Sequence, residues 1–401
     1  MPTTDPDRSC HIVAFARTPF GKFQGALAEV EPRDLGAWVI NDLLRRLARP
    51  DATVDALYAG IGMLGGAALT YTRQMLMTTA LPETTPSLAV DRACCSGMTA
   101  VGLAYKDIRL GEANLIIAGG LDGLSHTPYL LPRRGSQRPG NRQLEDPLLL
   151  RTPLLDRSIS QYTSEEALAH GVDRAAQDEW ALRSHQRYFA EQDRGGFDEE
   201  RIAVTGTAGA LLQVDEAPRR DASIEALQKL ATIYGTPTIT PGNAPGLSDG
   251  AAFLALASGA ACAALGLTPI AEILDYVQVA SGPTSGSYTP AIGLQRLLDR
   301  NALGPQSLDA IEINEAFAAT PLVSLYRLAG MDRARARTLA DRTNQRGGAV
   351  AMGHPLGASG GRITMSLAQT LRRRGGGIGA AAICGGFGQG DALLLRVAGQ
   401  V

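Results

Sequence analysis

Two adjacent thiols, Cys94 and Cys95, stand between an apolar run, Ser87-Leu88-Ala89-Val90, and a stretch from Ser96 to Ala104 almost without polar positions. The run reads as a short strand. The stretch reads as a helix that is apolar all round and therefore buried. Both thiols then sit at or just before a helix N-terminus, which carries unsatisfied N–H groups and about half a positive charge. That setting favours a thiolate, lowering a cysteine pKa from its reference of about 8.5. Ala93, Ser96 and Gly97 let a substrate approach the backbone closely. The competing reading is a buried, inert pair, since free cysteine is often buried.

Three further groups have chemical potential. Asn314, in Asn314-Glu315-Ala316-Phe317-Ala318, follows an apolar run and suits either a local cap or the orientation of a water or carbonyl. His354 stands between Gly353 and Pro355, just before a helix beginning near Gly357. A lone histidine is commonly structural, but the surrounding glycines open backbone access that such a role does not need. Cys384 ends an apolar run and is followed by Gly385-Gly386.

The elements that position these groups alternate. His11 to Ala16 reads as a strand, Pro32 to Leu47 as a helix with Leu35, Val39, Leu43 and Leu47 on one face, and Asp55 to Met63 as a strand. The cysteine helix ends near Arg109-Leu110-Gly111, and Asn114 to Gly120 is a buried strand. This is an α/β layered pattern. The second half repeats it. Pro269 to Val277 matches the opening strand, Asp309-Ala310-Ile311 matches Asp55-Ala56-Leu57, and the helix at Gly357 matches the cysteine helix. Two copies this long are a duplicated domain. If they are related by an axis, the starts of the Cys94 and His354 helices face each other across it, and Cys384 reaches the same spot.

The repeat also exposes an insertion. After Gly386 the chain runs directly through Asp391 into a strand, whereas after Gly120 the matching Ser248-Asp249-Gly250 comes much later. Residues from roughly 122 to 248 are thus extra to the first half. They hold a helix from Asp173 to Asp193 and a β-hairpin from Ile202 to Val214, and suit a cap over the core.

Composition excludes other classes. With 45% hydrophobic and 19% charged residues the chain is globular, and a net charge of −2 does not steer it to nucleic acid or to an anionic membrane. Five scattered cysteines do not form a disulfide framework, which points to a reducing, cytoplasmic setting. Met1 to Cys10 lacks an apolar signal region, no apolar run is long enough to cross a bilayer, and Ala398-Gly399-Gln400-Val401 is not a peroxisomal tripeptide.

Taken together, Val90 to Gly97, Asn314 to Ala318, Gly353-His354-Pro355-Leu356-Gly357-Ala358-Ser359-Gly360 and Cys384-Gly385-Gly386 resemble the thiolase family over essentially the whole chain. Thr240 to Gly250 and Gly171 to His185 resemble family segments too. The resemblance implies a five-layered α/β fold of two βαβαβαββ halves, 1–121 with 249–268 and then 269–401, and a coenzyme A-binding loop domain at 122–248. It implies an acyltransferase that joins two acyl-CoAs by Claisen condensation, acetyl-CoA giving acetoacetyl-CoA, or runs the reverse thiolysis. Cys94 would carry the acyl group and His354 would activate it. Cys384 would move the α-proton, and Asn314 would hold a water that with His354 binds the thioester oxygen of the attacking acetyl-CoA. The N–H groups of Cys94 and Gly386 would stabilise the other oxyanion. Arg219 matches an arginine that lies against the adenine, with Ser248 and Arg133 as weaker coenzyme A contacts. No metal and no permanently bound cofactor is implied.

The sequence departs from the family at Asp91, Cys95, Pro245, Phe387 and Ile159-Ser160-Gln161, positions around the acyl and pantetheine pocket. These leave open a degradative 3-ketoacyl-CoA thiolase or a condensing enzyme with another primer. A non-catalytic acyl-CoA-binding subunit is disfavoured by Cys94, Asn314, His354 and Cys384 together. A homodimer or homotetramer is expected, with the apolar stretch from Gly60 to Met77 covered by a partner.

Overall fold

The computed structural model describes residues 5–49, 53–63, 69–133, 135, 138–152 and 154–399. The first half contributes strands β1 (Cys10–Arg17), β2 (Ala56–Ile61), β3 (Ser87–Val90), β4 (Leu115–Gly123) and β5 (Ser248–Ser258). The second contributes β6 (Ala271–Ala280), β7 (Ala310–Ile313), β8 (Gly377–Cys384) and β9 (Gln389–Val397). From the centre outward the first half runs β1-β5-β4-β2-β3 and the second β6-β9-β8-β7. The order is the same in both, which is how a duplication appears in three dimensions. Where a counterpart of β3 would lie, Thr343 makes a single parallel bridge to Ile311. The halves are joined by antiparallel pairing of Cys10, His11 and Ile12 with Ile273, Glu272 and Ala271.

Helices complete the layers. α1 (Pro32–Leu47) starts on a proline, carries Asp34 in its first turn and Arg45 and Arg46 in its last, and buries Leu35, Val39, Leu43 and Leu47 on the outer face of the first sheet. α2 (Ser96–Leu110) ends at Gly111, whose φ of +79° closes the helix in the left-handed region. In the insertion lie α3 (Ile159–Ala169), started by a capping box on Ser158 and Gln161, and α4 (Arg174–Gln192), capped by Asp173. α5 (Thr289–Arg300) and α6 (Ala319–Leu328) cover the outer face of the second sheet. α7 (Leu356–Arg373) is buried along nearly its whole length.

Alternation along the strands divides the core. Ile116 and Ala118 of β4 and Ala381 and Ile383 of β8 face inward, onto Met98 and Val101 of α2 and Ile363 and Leu367 of α7. Leu115 and Ile117 face out to α1, and Ala380 and Ala382 face out to α5. The layers therefore run helix, sheet, helices, sheet, helix. The insertion packs on the second half: Trp180 and Ala181 join its outer core, and Ala167 and Val172 meet Phe317 and Val323. Its expected hairpin is short, Val204–Thr205 against Leu211–Leu212.

The expectation of an open apolar surface from Gly60 to Met77 is corrected. Met75 and Leu76 are fully buried in the core beneath α1, so they are not part of an open surface. Gly60 and Ile61 are buried in β2 as well, and residues 64–68 of that stretch lie outside the described residues. What remains open is the edge strand β3, with Leu88 and Ala89 exposed, beside Leu69 and Met77. Among the described residues no helix is long and apolar enough to cross a membrane.

Candidate active site

The first residues of α2 and α7 meet at backbone distance. A Cβ on Gly97 would stand 2.1 Å from the Gly357 carbonyl oxygen, so neither helix could approach with a side chain there. Cys94 precedes Gly97 by three residues, and His354 precedes Gly357 by three. The contact thus sets a cysteine and a histidine at matching places in the two repeats. Asp122 fastens it: its carboxylate accepts from the N–H groups of Gly62 and Met63, both at 3.0 Å, and of Gly357 at 2.5 Å. Burial nonetheless pushes Asp122 up to about 7.

Cys94 lies in a 3-10 turn, Ala93–Cys95, just before α2. Ala93 holds a φ of +51°, a left-handed conformation costing roughly 1–2 kcal/mol for a residue with a Cβ. Its surroundings fix it. Arg92 N–H donates to Ser96 Oγ (2.8 Å), Ser96 Oγ donates to the Ala93 carbonyl (2.6 Å), and Cys95 Sγ donates to the Arg92 carbonyl (3.1 Å). The Arg92 side chain crosses to the second half, donating to Gln389 Oε1 (3.1 Å) and pairing with Asp391. Asp391 also accepts from Thr99 (2.5 Å) and from the Tyr276 hydroxyl (2.7 Å).

The helix-terminus argument for a resting thiolate does not hold here. Burial first, then the Cys384, Cys95 and Asp122 charges, raise the Cys94 thiol well above its ordinary value. Cys94 is therefore a thiol that needs a base. Cys95 is not a second pocket thiol either. It is fully buried and points at the next loop, where a Cβ on Gly385 would stand 2.5 Å from its Sγ.

His354 has the form of that base. Ser359 Oγ donates to the Pro355 carbonyl (2.7 Å), so its single proton is occupied and it accepts from His354 Nδ1–H at 2.5 Å. Nε2 is then the unprotonated, accepting nitrogen. Burial, and secondarily the Arg362 charge, lower His354 to about 3, so the ring is neutral at ordinary pH. Asn314 Nδ2 lies 3.4 Å from Nε2. Cys384, buried at the end of β8, is pushed up to about 12, chiefly by burial and further by Glu166. The Gly386 Cβ position is 3.3 Å from Ala93 Cβ, which sets the Cys384-Gly385-Gly386 loop against the Cys94 turn. Phe387 beside it takes a φ of +59°, which a glycine there would hold without strain.

The expected coenzyme A contacts are not all alike. Ser248 is buried, with its hydroxyl between the Gly246 carbonyl (2.7 Å) and the His354 N–H (3.1 Å), so it holds the histidine loop. Arg219 and Arg133 are exposed, and the Arg219 N–H donates to His185 Nδ1 at 3.2 Å. Sequence reasoning missed Ser359, Asp122 and Tyr162. Tyr162, buried on α3, has its phenol raised by burial and then by Cys384 and Cys94, which places it near both thiols. Only Ser359 had a signal, five residues after His354 and one helical turn beyond Pro355.

A neutral imidazole with an unprotonated Nε2, beside thiols too basic to ionise alone, is an arrangement able to move protons to and from a nucleophile. Residues 10–260 match the family described as thiolase, N-terminal domain, and residues 267–397 match thiolase, C-terminal domain. The chain belongs to the thiolase family. This thiolase is 36% identical to the beta-ketoadipyl-CoA thiolase of Pseudomonas aeruginosa, over 97% of this chain and 99% of that one. It is 35% identical to the acetyl-CoA acetyltransferase of Escherichia coli K12, with the same coverage. Its fold matches the crystal structure of the Bacillus anthracis acetyl-CoA acetyltransferase at a TM-score of 0.91, with 31% identity over 97% of this chain and 98% of that one. It matches human mitochondrial 3-ketoacyl-CoA thiolase in complex with CoA at 0.90, with 31% identity over 98% and 99%. This thiolase is an acyltransferase of the condensation and thiolysis type.

Proposed function

We propose that this thiolase transfers an acyl group from one acyl-CoA to Cys94 and then to the α-carbon of acetyl-CoA, with acetoacetyl-CoA as the simplest product, or runs the same steps in reverse. The observation that carries the reading is the His354 ring, neutral and with Nδ1–H held by Ser359, so that Nε2 can take the Cys94 proton. The thiolate attacks the thioester carbonyl and coenzyme A leaves as a thiol. The proton that makes coenzyme A a thiol comes from Cys384; the Cys384 thiolate so formed accepts the α-proton of acetyl-CoA, and the carbanion displaces Cys94, whose sulfur recovers its proton from His354. Asn314 and His354 serve the oxyanion of this second step, and the N–H groups of Cys94 and Gly386 serve that of the first. Residues 122–248 act as the loop domain that receives coenzyme A, with Arg219 against the adenine and Arg133 as a weaker contact, between halves formed by 1–121 with 249–268 and by 269–401. Mass spectrometry of the protein after incubation with a panel of acyl-CoAs tests this. Cys94 should gain the acyl mass from acetyl-CoA, and the chain lengths that also load it define the primer range. An unmodified Cys94 throughout would refute the reading.

The active unit is a homodimer or a dimer of dimers in the cytoplasm. An unpaired edge strand carrying exposed Leu88 is a surface that proteins cover, and two-fold pairing is the usual means. Light scattering at micromolar concentration should give at least twice the mass of one chain. An active species of one-chain mass that does not change on concentrating would show that β3 stays open.

A further inference from the structure

Behind Asn314 lies a polar group of side chains that the reaction does not touch. Glu312 and Asn314 alternate onto the inner face at β7, while Ile311 and Ile313 point into the outer core. Opposite them on α7 stand Arg362 and, one turn on, Ser366. Arg362 donates to Asn314 Oδ1 at 3.3 Å and pairs with Glu312 Oε2 at 3.6 Å. All three of Glu312, Arg362 and Ser366 are 1% exposed. Yet Arg362 Nε and Nη1, Glu312 Oε2 and Ser366 Oγ have no hydrogen-bond partner among the protein atoms. Four such atoms in one place are costly unless something polar lies between them, and buried water is the usual occupant.

We infer that Arg362 and Glu312, bridged to Ser366 by ordered water, form a positioning unit that fixes which end of the Asn314 amide faces His354. An amide is two-faced: its oxygen only accepts and its NH2 only donates. A guanidinium has donors alone, so the end facing Arg362 must be the oxygen. His354 Nε2 is an acceptor, so the end facing it must be the NH2. The two constraints agree, and Arg362 supplies the one that does not depend on substrate. Glu312 balances the buried cation, which would otherwise stand uncompensated in the core. Burial raises the Glu312 carboxyl and the Arg362 charge opposes that rise, as expected of two groups that face each other 3.6 Å apart. The positioning role rests on the proposed part of Asn314 in the condensation step; the amide orientation and the water do not.

Neutron diffraction from crystals of the unmodified protein tests the structural half. Density for water between Arg362 Nε and Ser366 Oγ is expected, with the deuterated end of the Asn314 amide toward His354. A dry pocket, or the amide oxygen toward His354, would overturn the inference. The functional half is read in Arg362→Met combined with Glu312→Gln, which removes both charges together and strands neither, and in Arg362→Lys should the double variant not fold. Condensation should fall at least tenfold more than acylation of Cys94. An equal fall in the two half-reactions would make the pair merely structural. Asn314→Ala separates the two claims: if it spares condensation, the role given to Asn314 fails, while the diffraction result still decides its orientation.

Discussion

Cys94→Ala is expected to abolish acyl transfer, by a factor on the order of 10⁶ if it behaves as loss of a covalent nucleophile generally does. Cys95→Ala should keep most of the activity. The two thiols are neighbours in sequence but not in environment. Cys94 is partly buried at the meeting point of α2 and α7, whereas Cys95 Sγ is sealed between the Arg92 carbonyl and Gly385. A haloacyl-CoA should label Cys94, mapped by peptide mass spectrometry. Because burial holds Cys94 protonated, labelling should also collapse in His354→Ala at neutral pH. Labelling of Cys95 alone would reverse the assignment.

The second large effect divides the half-reactions. Cys384→Ala should still form acyl-enzyme but lose condensation, and with it exchange of the acetyl-CoA α-protons into deuterated water, by about 10²–10⁴. His354→Ala should lose both, since in the proposed mechanism its Nε2 takes the Cys94 proton, and the same nitrogen lies 3.4 Å from Asn314. Rapid-quench measurement of acyl-enzyme and NMR of deuterium uptake read the two steps apart. If Cys384→Ala acylates as poorly as His354→Ala, the division of labour is wrong.

Much of this arrangement could be read from sequence because it rests on patterns that sequence expresses directly. α1 begins at Pro32 and ends at Leu47 as its four-residue apolar spacing requires, and β3 spans Ser87–Val90 as expected. The strand order recurs in the second half as the sequence repeat expects, and the residues between β4 and β5 have no counterpart between β8 and β9. What escaped depends on direction and depth. No spacing rule says that Cys95 turns into the core, that Met75 and Leu76 lie under α1, or that Ser248 faces the His354 backbone. The thiolate expectation failed because it counted the helix terminus and not the loss of water, and burial is the larger influence on Cys94. Phe387 shows the limit differently: its left-handed backbone is visible only once the chain is folded.

The contact of Gly97 with Gly357 makes the spacing of Cys94 and His354 a property of main-chain radii. Side chains hop between rotamers and swap partners; two peptide groups pressed together have no such freedom. The chemistry is therefore ground to a fixed gauge, and heat or a change of primer should alter how acyl-CoA arrives long before it alters where Cys94 and His354 stand. The same gauge ties the fates of the two repeats. A substitution that widens one copy at this point is felt by the other, so the halves can drift apart everywhere except where they touch.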